Sequence, residues 1–264
     1  MLIIAERINA SRKQIAHAIR AWDRAFIQGE AKAQDQAGAH YIDVNAGTFV
    51  GEEADRLQWI VEAVQEVTDL PLSIDSPDPG VIQAVMPLLR KTPLINSITL
   101  EPSRMEGILP LIVAHKTKVI ALCQSGRGSA ETTELKVSLA GQLVERLTGA
   151  GIPLDDIYID PLVFPLSTNP QSGRATLKAI KEIKEKFPGA HTICGLTNVS
   201  YGLPARRLVN RAFLAAAITK GLDAAIIDPT DKLLYAMLKA ASLIAGQDNF
   251  CMEYIRAFRE GRLE

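Results

Sequence analysis

Histidine and cysteine are scarce in this chain, four and three among 264 residues. Cys123, Cys194 and Cys251 lie far apart, with no CxxC and no Cys/His cluster. That spacing excludes the common zinc and iron–sulfur frameworks, and three cysteines do not make a disulfide scaffold. His17, His40, His115 and His191 are equally scattered and read as structural histidines, so no metal site is expected. Positive charge is not in excess: 29 basic and 30 acidic residues give a net charge of −1, which argues against a nucleic-acid-binding surface. Long apolar runs are also missing. The opening "MLIIAERINASRKQ" is too briefly apolar for a signal peptide or a membrane span, and the expectation is a soluble cytoplasmic protein. No low-complexity linker divides the chain, so one domain over residues 1–264 is expected.

What is present is an alternation of two periodicities. Short apolar runs of strand length occur at 2–5, 40–44, 71–75, 93–96, 118–123, 157–160, 191–196 and 224–228. They lack polar alternation, as strands buried on both faces of a parallel sheet do. Between them lie stretches with helical spacing, such as 56–67, 136–151 and 177–187, and Gly38, Gly151 and Gly221 stand where helix C-caps are expected. Eight strand–helix units in a chain of this size predict a (β/α)₈ TIM barrel. A doubly wound sheet would carry a glycine-rich loop after its first strand. Here that strand leads into "ERINASRKQ" instead.

Each predicted strand ends on a carboxylate or an amide: Glu6 and Asn9, Asp43 and Asn45, Asp75, Asn96, Gln124, Asp160, Asn198, and Asp228. In a barrel these side chains gather at the C-terminal mouth, where such enzymes place their sites. The ring has no histidine base, no activated serine or cysteine, and few cations to hold phosphate. Its chemistry complements a planar heterocycle with several N–H donors, and a pterin, with its 2-amino-4-oxo edge, is one such molecule. Asp228 also reads as a strand stop and helix cap, and Glu6 and Asn9 as a barrel-closing pair with Arg7 or a cap. The loop "GLTNVSYGLPARR" between Gly195 and Arg207 is rich in residues that cap helix entrances.

The segments "LIIAERIN", "YIDVNAG", "SIDS", "INSITLEP", "YIDPL" and "GLTNVSYGLPARRLVNRAFLAAAITKGLDAAIID" together resemble the pterin-binding methyltransferase family. That family includes the methyltetrahydrofolate:corrinoid methyltransferases and the folate domain of cobalamin-dependent methionine synthase. The resemblance implies a dimeric TIM barrel that binds tetrahydrofolate or 5-methyltetrahydrofolate in its mouth. It implies that Asp75, Asn96 and Asp160 hydrogen-bond the pterin and that Asn198 reaches N5 as the catalytic amide. It also places Arg206 against the folate, with Arg207 as its alternative in register. Asp43, Asn45 and Gln124 would support these from behind or face the corrinoid. Tyr201 stands where the acetogenic enzymes carry glutamine and is similar to the aromatic of methionine synthase. The chain lacks a DxHxxG cobalt-ligand motif, so cobalamin is expected on a separate corrinoid protein docking over the mouth. Either direction of transfer, and a methoxyarene, methylamine, betaine or CO₂-derived methyl group, is compatible with this reading. Dihydropteroate synthase shares the barrel and the pterin carboxylates, but "AAIIDPTDK" lacks the Ser-x-Arg-x-His anion site of its last strand. A non-catalytic pterin- or corrinoid-protein-binding scaffold is the alternative of a different class.

Overall fold

The computed structural model describes residues 1–126 and 130–263. Eight strands pair in parallel, each with the next and the last with the first, to close a barrel. They are β1 (Leu2–Asn9), β2 (Tyr41–Asn45), β3 (Leu72–Asp75), β4 (Leu94–Ile98), β5 (Lys118–Leu122), β6 (Ile157–Asp160), β7 (His191–Gly195) and β8 (Ala224–Ile227). The surrounding helices are α1 (Lys13–Arg20), α2 (Arg24–Gln36), α3 (Glu53–Gln65), α4 (Pro79–Val85), α5 (Pro102–His115), α6 (Thr133–Gly149), α7 (Ser172–Lys186), α8 (Arg206–Ile218), α9 (Lys232–Ile244) and α10 (Met252–Arg259). All eight expected strands are present. The first is longer than its apolar run, because the chain stays paired through a register shift between Ala5 and Ile8. Among the described residues, no helix is long and apolar enough to cross a membrane.

Side chains of a strand alternate between the barrel interior and the helix layer. Ile4, Leu94, Ile120, Tyr158, Ile193 and Ala224 pack together inside the barrel. Two residues further along the same strands the inward positions turn polar: Glu6, Asn96 and Asp160 follow Ile4, Leu94 and Tyr158. The interior is thus an apolar plug with a polar layer above it. The outward-facing residues pack against the helices in two larger clusters, one centred on β2–β5 and one on β7–β8.

Local chemistry sets the boundaries. Asp23, Asp78 and Asp231 accept hydrogen bonds from the first-turn N–H groups of α2, α4 and α9, and Thr132 does so for α6. Gly38 and Gly151, past the ends of α2 and α6, have φ of +87° and +89°, a left-handed geometry that costs glycine least. The histidines with resolved contacts are structural: His40 accepts from the Ile3 N–H, and His191 stacks on Tyr158 beside Asp155.

Gly107 in α5 serves packing rather than conformation. A Cβ there would lie 2.4 Å from Cγ of Pro79, the first residue of α4. Alanine is the better helix former by about 1 kcal/mol, yet Gly107→Ala is expected to destabilise by about 1–3 kcal/mol through overpacking. Urea unfolding of the variant checks the sign.

Candidate active site

The polar layer opens into a cavity of about 1080 Å³ at the C-terminal mouth. Its walls include Glu6, Asp43, Asp75, Asn96, Asn198 and Tyr201, brought together from β1, β2, β3, β4 and the turn after β7. On the floor the carboxylates are tied to neutral donors. Asp43 accepts from Ser73 Oγ at 2.6 Å and from Asn96 Nδ2 at 3.1 Å. Asp75 accepts from Asn45 Nδ2 at 3.1 Å. Ser73 and Asn45 reach across from the adjacent strand, whereas Asn96 reaches Asp43 from β4, two strands away, so closure of the barrel sets these contacts. Burial raises the Asp43 carboxyl to about 6, opposed by those two hydrogen bonds. Asp75 is pushed well above the usual carboxylate range by burial and then by the Asp43 charge.

Asp160 sits beneath the cavity rather than on its wall, 5% exposed. Its oxygens accept from the Leu162 N–H at 2.7 Å and the Gly195 N–H at 3.1 Å, and burial holds its carboxyl at about 6. Gly195 has a steric role here. A Cβ on it would lie 3.6 Å from Asn198 Nδ2 and 3.9 Å from Asp160 Oδ2, so its absence leaves the space above Asp160 open.

The loop between β7 and α8 is not a capping loop. Ala205 at the entrance of α8 has φ +50° and no side-chain cap. Its polar residues serve a 3₁₀ turn over Leu196–Ser200. Arg206 folds back on that turn, donating from Nε to Ser200 Oγ at 3.0 Å and from NH2 to the Thr197 carbonyl at 2.9 Å. Arg207 faces outward, with 81% of its side chain exposed. The turn thereby presents Asn198 to the cavity as an exposed residue. Among the described residues its amide makes no hydrogen bond. Tyr201 flanks it, 66% exposed, with the Arg206 guanidinium 5.7 Å from its ring centre.

Several expectations need correcting. Arg7 does not pair with Glu6; it bridges Glu30 at 2.6 Å and Asp228 at 3.0 Å. Asp228 therefore closes the barrel between β8 and β1, and Asp231 is the cap of α9. Asn9 accepts from Ser11 in a local turn. Gln124 leaves the ring altogether: β5 ends at Leu122, and the Gln124 amide turns to Glu101 at 3.4 Å. The expected scarcity of cations does not hold either, since Arg12, Arg206, Arg207, Arg211 and Lys232 border the cavity.

Glu6, expected in the ring but with its role left open, takes its place there, and Lys136 is a participant that sequence reasoning missed. Glu6, freed from Arg7, lies in the cavity wall and accepts from Thr197 Oγ1 at 3.2 Å. Burial, opposed by that bond, raises its carboxyl to about 7. Lys136 on α6 has no exposed surface, and its ammonium donates to the Pro161 carbonyl at 2.7 Å and the Leu162 carbonyl at 2.5 Å. It pins the turn whose N–H group holds Asp160, and its charge favours the ionised form of that carboxyl. Burial lowers its own pKa to about 8. The apolar helical spacing around Lys136 was visible in sequence, but a lysine facing inward carried no signal there.

Both groups give measurable consequences. The folded chain holds Glu6 protonated up to about 7, whereas the usual value is 4.5, so folding takes up a proton in that window and stability falls as pH rises through it. Glu6→Gln removes this penalty. The variant is expected to match the wild type below pH 4.5 and to exceed it by up to about 3 kcal/mol near pH 8, read by chemical denaturation at both pH values. Lys136→Met keeps the aliphatic stem but leaves two buried carbonyls without a donor. A loss of about 2–4 kcal/mol is expected in the same measurement.

Comparison with known proteins agrees with this geometry. Residues 5–228 match the family described as pterin binding enzyme. The chain is 39% identical over its whole length to the methylcorrinoid:tetrahydrofolate methyltransferase of Eubacterium limosum, covering 98% of that protein. It is 33% identical to methionine synthase of Mycobacterium tuberculosis over 86% of this chain and 20% of that longer protein. Among solved structures, dihydropteroate synthase of Xanthomonas albilineans superposes with a TM-score of 0.72 at 19% identity, covering 94% of this chain and 93% of that one. That last likeness concerns the barrel alone. With the family match and a full-length relative at 39% identity, the chain belongs to the pterin-binding enzymes.

Proposed function

We propose that the protein is a cytoplasmic methyltransferase that moves a methyl group between N5 of tetrahydrofolate and the cobalt of a corrinoid carried by a separate protein, in anaerobic one-carbon metabolism. The observation carrying this reading is a floor of hydrogen-bond acceptors facing an exposed Asn198 amide that makes no hydrogen bond among the described residues. A reduced pterin matches that arrangement. Its N–H edge supplies the donors that Asp75, and Asp160 beneath it, accept, while Asn96 completes the floor. Bringing donors to these carboxyls favours their ionised form, which burial opposes in the free protein.

The residues then act on N5. A neutral tertiary amine leaves poorly, so a proton or a hydrogen bond at N5 lowers the barrier to methyl departure. Asn198 cannot titrate, but its amide can donate to N5 or turn its oxygen to accept from N5–H⁺. One such charge-assisted hydrogen bond contributes about 1.5–3 kcal/mol, roughly ten- to a hundredfold in rate, provided it strengthens toward the transition state. Glu6, whose carboxyl titrates near neutrality in the same wall, is assigned the exchange of that proton with water. Arg206 keeps the turn, and hence Asn198, in place. The corrinoid supplies the methyl acceptor or donor. Nothing in the chain resembles a cobalt-ligand motif, which supports delivery by a partner docking over the mouth.

A homodimer belongs to the same proposal. Leu233, Met237 and Ile244 of α9 are exposed, as are Phe250 and Phe258 further along the chain. Large apolar side chains left exposed in this way support self-association.

Methyl transfer assayed with methylcobalamin and tetrahydrofolate tests the activity, and a purely binding scaffold would give none. Asn198→Ala is expected to bind folate with little change while transfer slows about ten- to a hundredfold. Transfer at the wild-type rate would remove Asn198 from the mechanism.

A further inference from the structure

Lys136 has no exposed surface, yet among the described residues no carboxylate contacts its ammonium. Its partners are the carbonyl oxygens of Pro161 and Leu162, at 2.7 and 2.5 Å, and the Phe164 ring, whose centre lies 5.1 Å from Nζ. All three residues follow Asp160 in the connection from β6 to α7. A buried ammonium without a counter-ion in contact is costly, and packing alone does not call for one between a helix and the barrel.

The peptide group between Pro161 and Leu162 indicates what the charge does. Its oxygen accepts from Lys136, and its N–H donates to Asp160 Oδ1 at 2.7 Å. One planar amide therefore links the ammonium to the carboxylate. A cation on the oxygen polarises that amide and strengthens its N–H as a donor. Leu162 has φ +55°, a left-handed geometry that a non-glycine residue holds only with support, and the bond from Lys136 to its carbonyl supplies it. The other titratable groups near the ammonium are Cys123 just beyond β5, Cys194 on β7 and Glu131 ahead of α6. Burial keeps both thiols protonated, and Asp160 is the charge that acts most strongly on Lys136.

We infer that Lys136 is a positioning residue for the folate reaction: through the Pro161–Leu162 peptide it fixes the aim and the charge of Asp160 without touching the substrate. This rests on the folate reading above, in which the pterin's N–H edge donates to Asp160. With the ammonium in place, Oδ1 stays turned to Leu162 and Oδ2 to Gly195, whose missing Cβ leaves the approach open. Without it, the turn is free to swing its N–H away, and the buried carboxyl keeps its proton to higher pH. A protonated Asp160 offers less acceptor capacity and sets a proton against the pterin's own N–H.

The test is equilibrium binding of 6-methyltetrahydropterin to the full-length protein, from about pH 5.5 to about pH 8.5, in the wild type, Lys136→Met and Lys136→Arg. The Asp160 carboxyl of the wild type titrates at about 6. Loss of the charge is expected to move the acid limb of the Lys136→Met profile up by about one pH unit. Binding is then about five- to tenfold weaker than wild type at about pH 5.5, and the gap closes to about twofold or less near pH 8.5. Lys136→Arg, which keeps the charge and the donors, is expected to follow the wild type. Superimposable profiles of wild type and Lys136→Met would overturn the inference. So would a loss of equal size at every pH, the mark of packing alone, or an arginine variant that behaves like the methionine one. Should Lys136→Met not fold, NMR of the wild type decides. The Lys136 Cε and Leu162 amide resonances are expected to move with the titration of the Asp160 carboxyl, and resonances that stay still reject the link. A wild type that binds no 6-methyltetrahydropterin at any pH would sink the folate reading itself, and this one with it.

Discussion

The constraint on which the site depends is the burial of carboxyl groups under one end of a closed barrel. Asp43, Asp75 and Asp160 lie where water is scarce, and an unpaired charge there would be costly. The structure keeps them tolerable with neutral partners: Ser73 and Asn96 for Asp43, Asn45 for Asp75, two backbone N–H groups for Asp160. Those partners satisfy only some of the lone pairs. The floor consequently remains a set of acceptors poised for donors, and burial raises the pKa of each of its three carboxyls.

Around this floor the barrel divides its labour by strand. β1 to β4 supply the acids and amides, and β6 anchors Asp160 with help from Lys136 on the neighbouring helix. The β7–α8 connection presents the Asn198 amide, which makes no hydrogen bond among the described residues, on a turn that Arg206 holds. At the end of β8, Asp228 is engaged with Arg7 in holding the barrel closed. Arg12, Arg206, Arg207, Arg211 and Lys232 border the same cavity, so its rim is cationic where its floor is acidic.

Much of this was legible in the chain. Eight buried-strand runs, spaced by helical stretches and ended by carboxylates and amides, specify the barrel and the face on which Asp43, Asp75, Asn96 and Asn198 meet. Period-two alternation ensures that a polar residue two positions beyond an inward apolar one also faces in, as Ile4 to Glu6 and Tyr158 to Asp160 show. Gln124 broke the pattern because β5 stops two residues short of it. The β7–α8 loop was ambiguous for a different reason: the same asparagine, serine and glycine suit a helix cap and a binding turn, and only the fold-back of Arg206 distinguishes them.

Sequence by itself determined the repeating unit, the polar ring and its acceptor chemistry, because these follow from local periodicity and from residue type. Partner choice was decided by tertiary structure alone. Arg7 finds Glu30 and Asp228 instead of its neighbour Glu6, which frees that carboxyl to face the cavity and titrate near neutrality. Lys136 becomes a buried brace, and scattered arginines converge on one rim. Contacts between residues as distant as Arg7 and Asp228 exist only once the last strand has closed on the first, and no spacing along the chain encodes them.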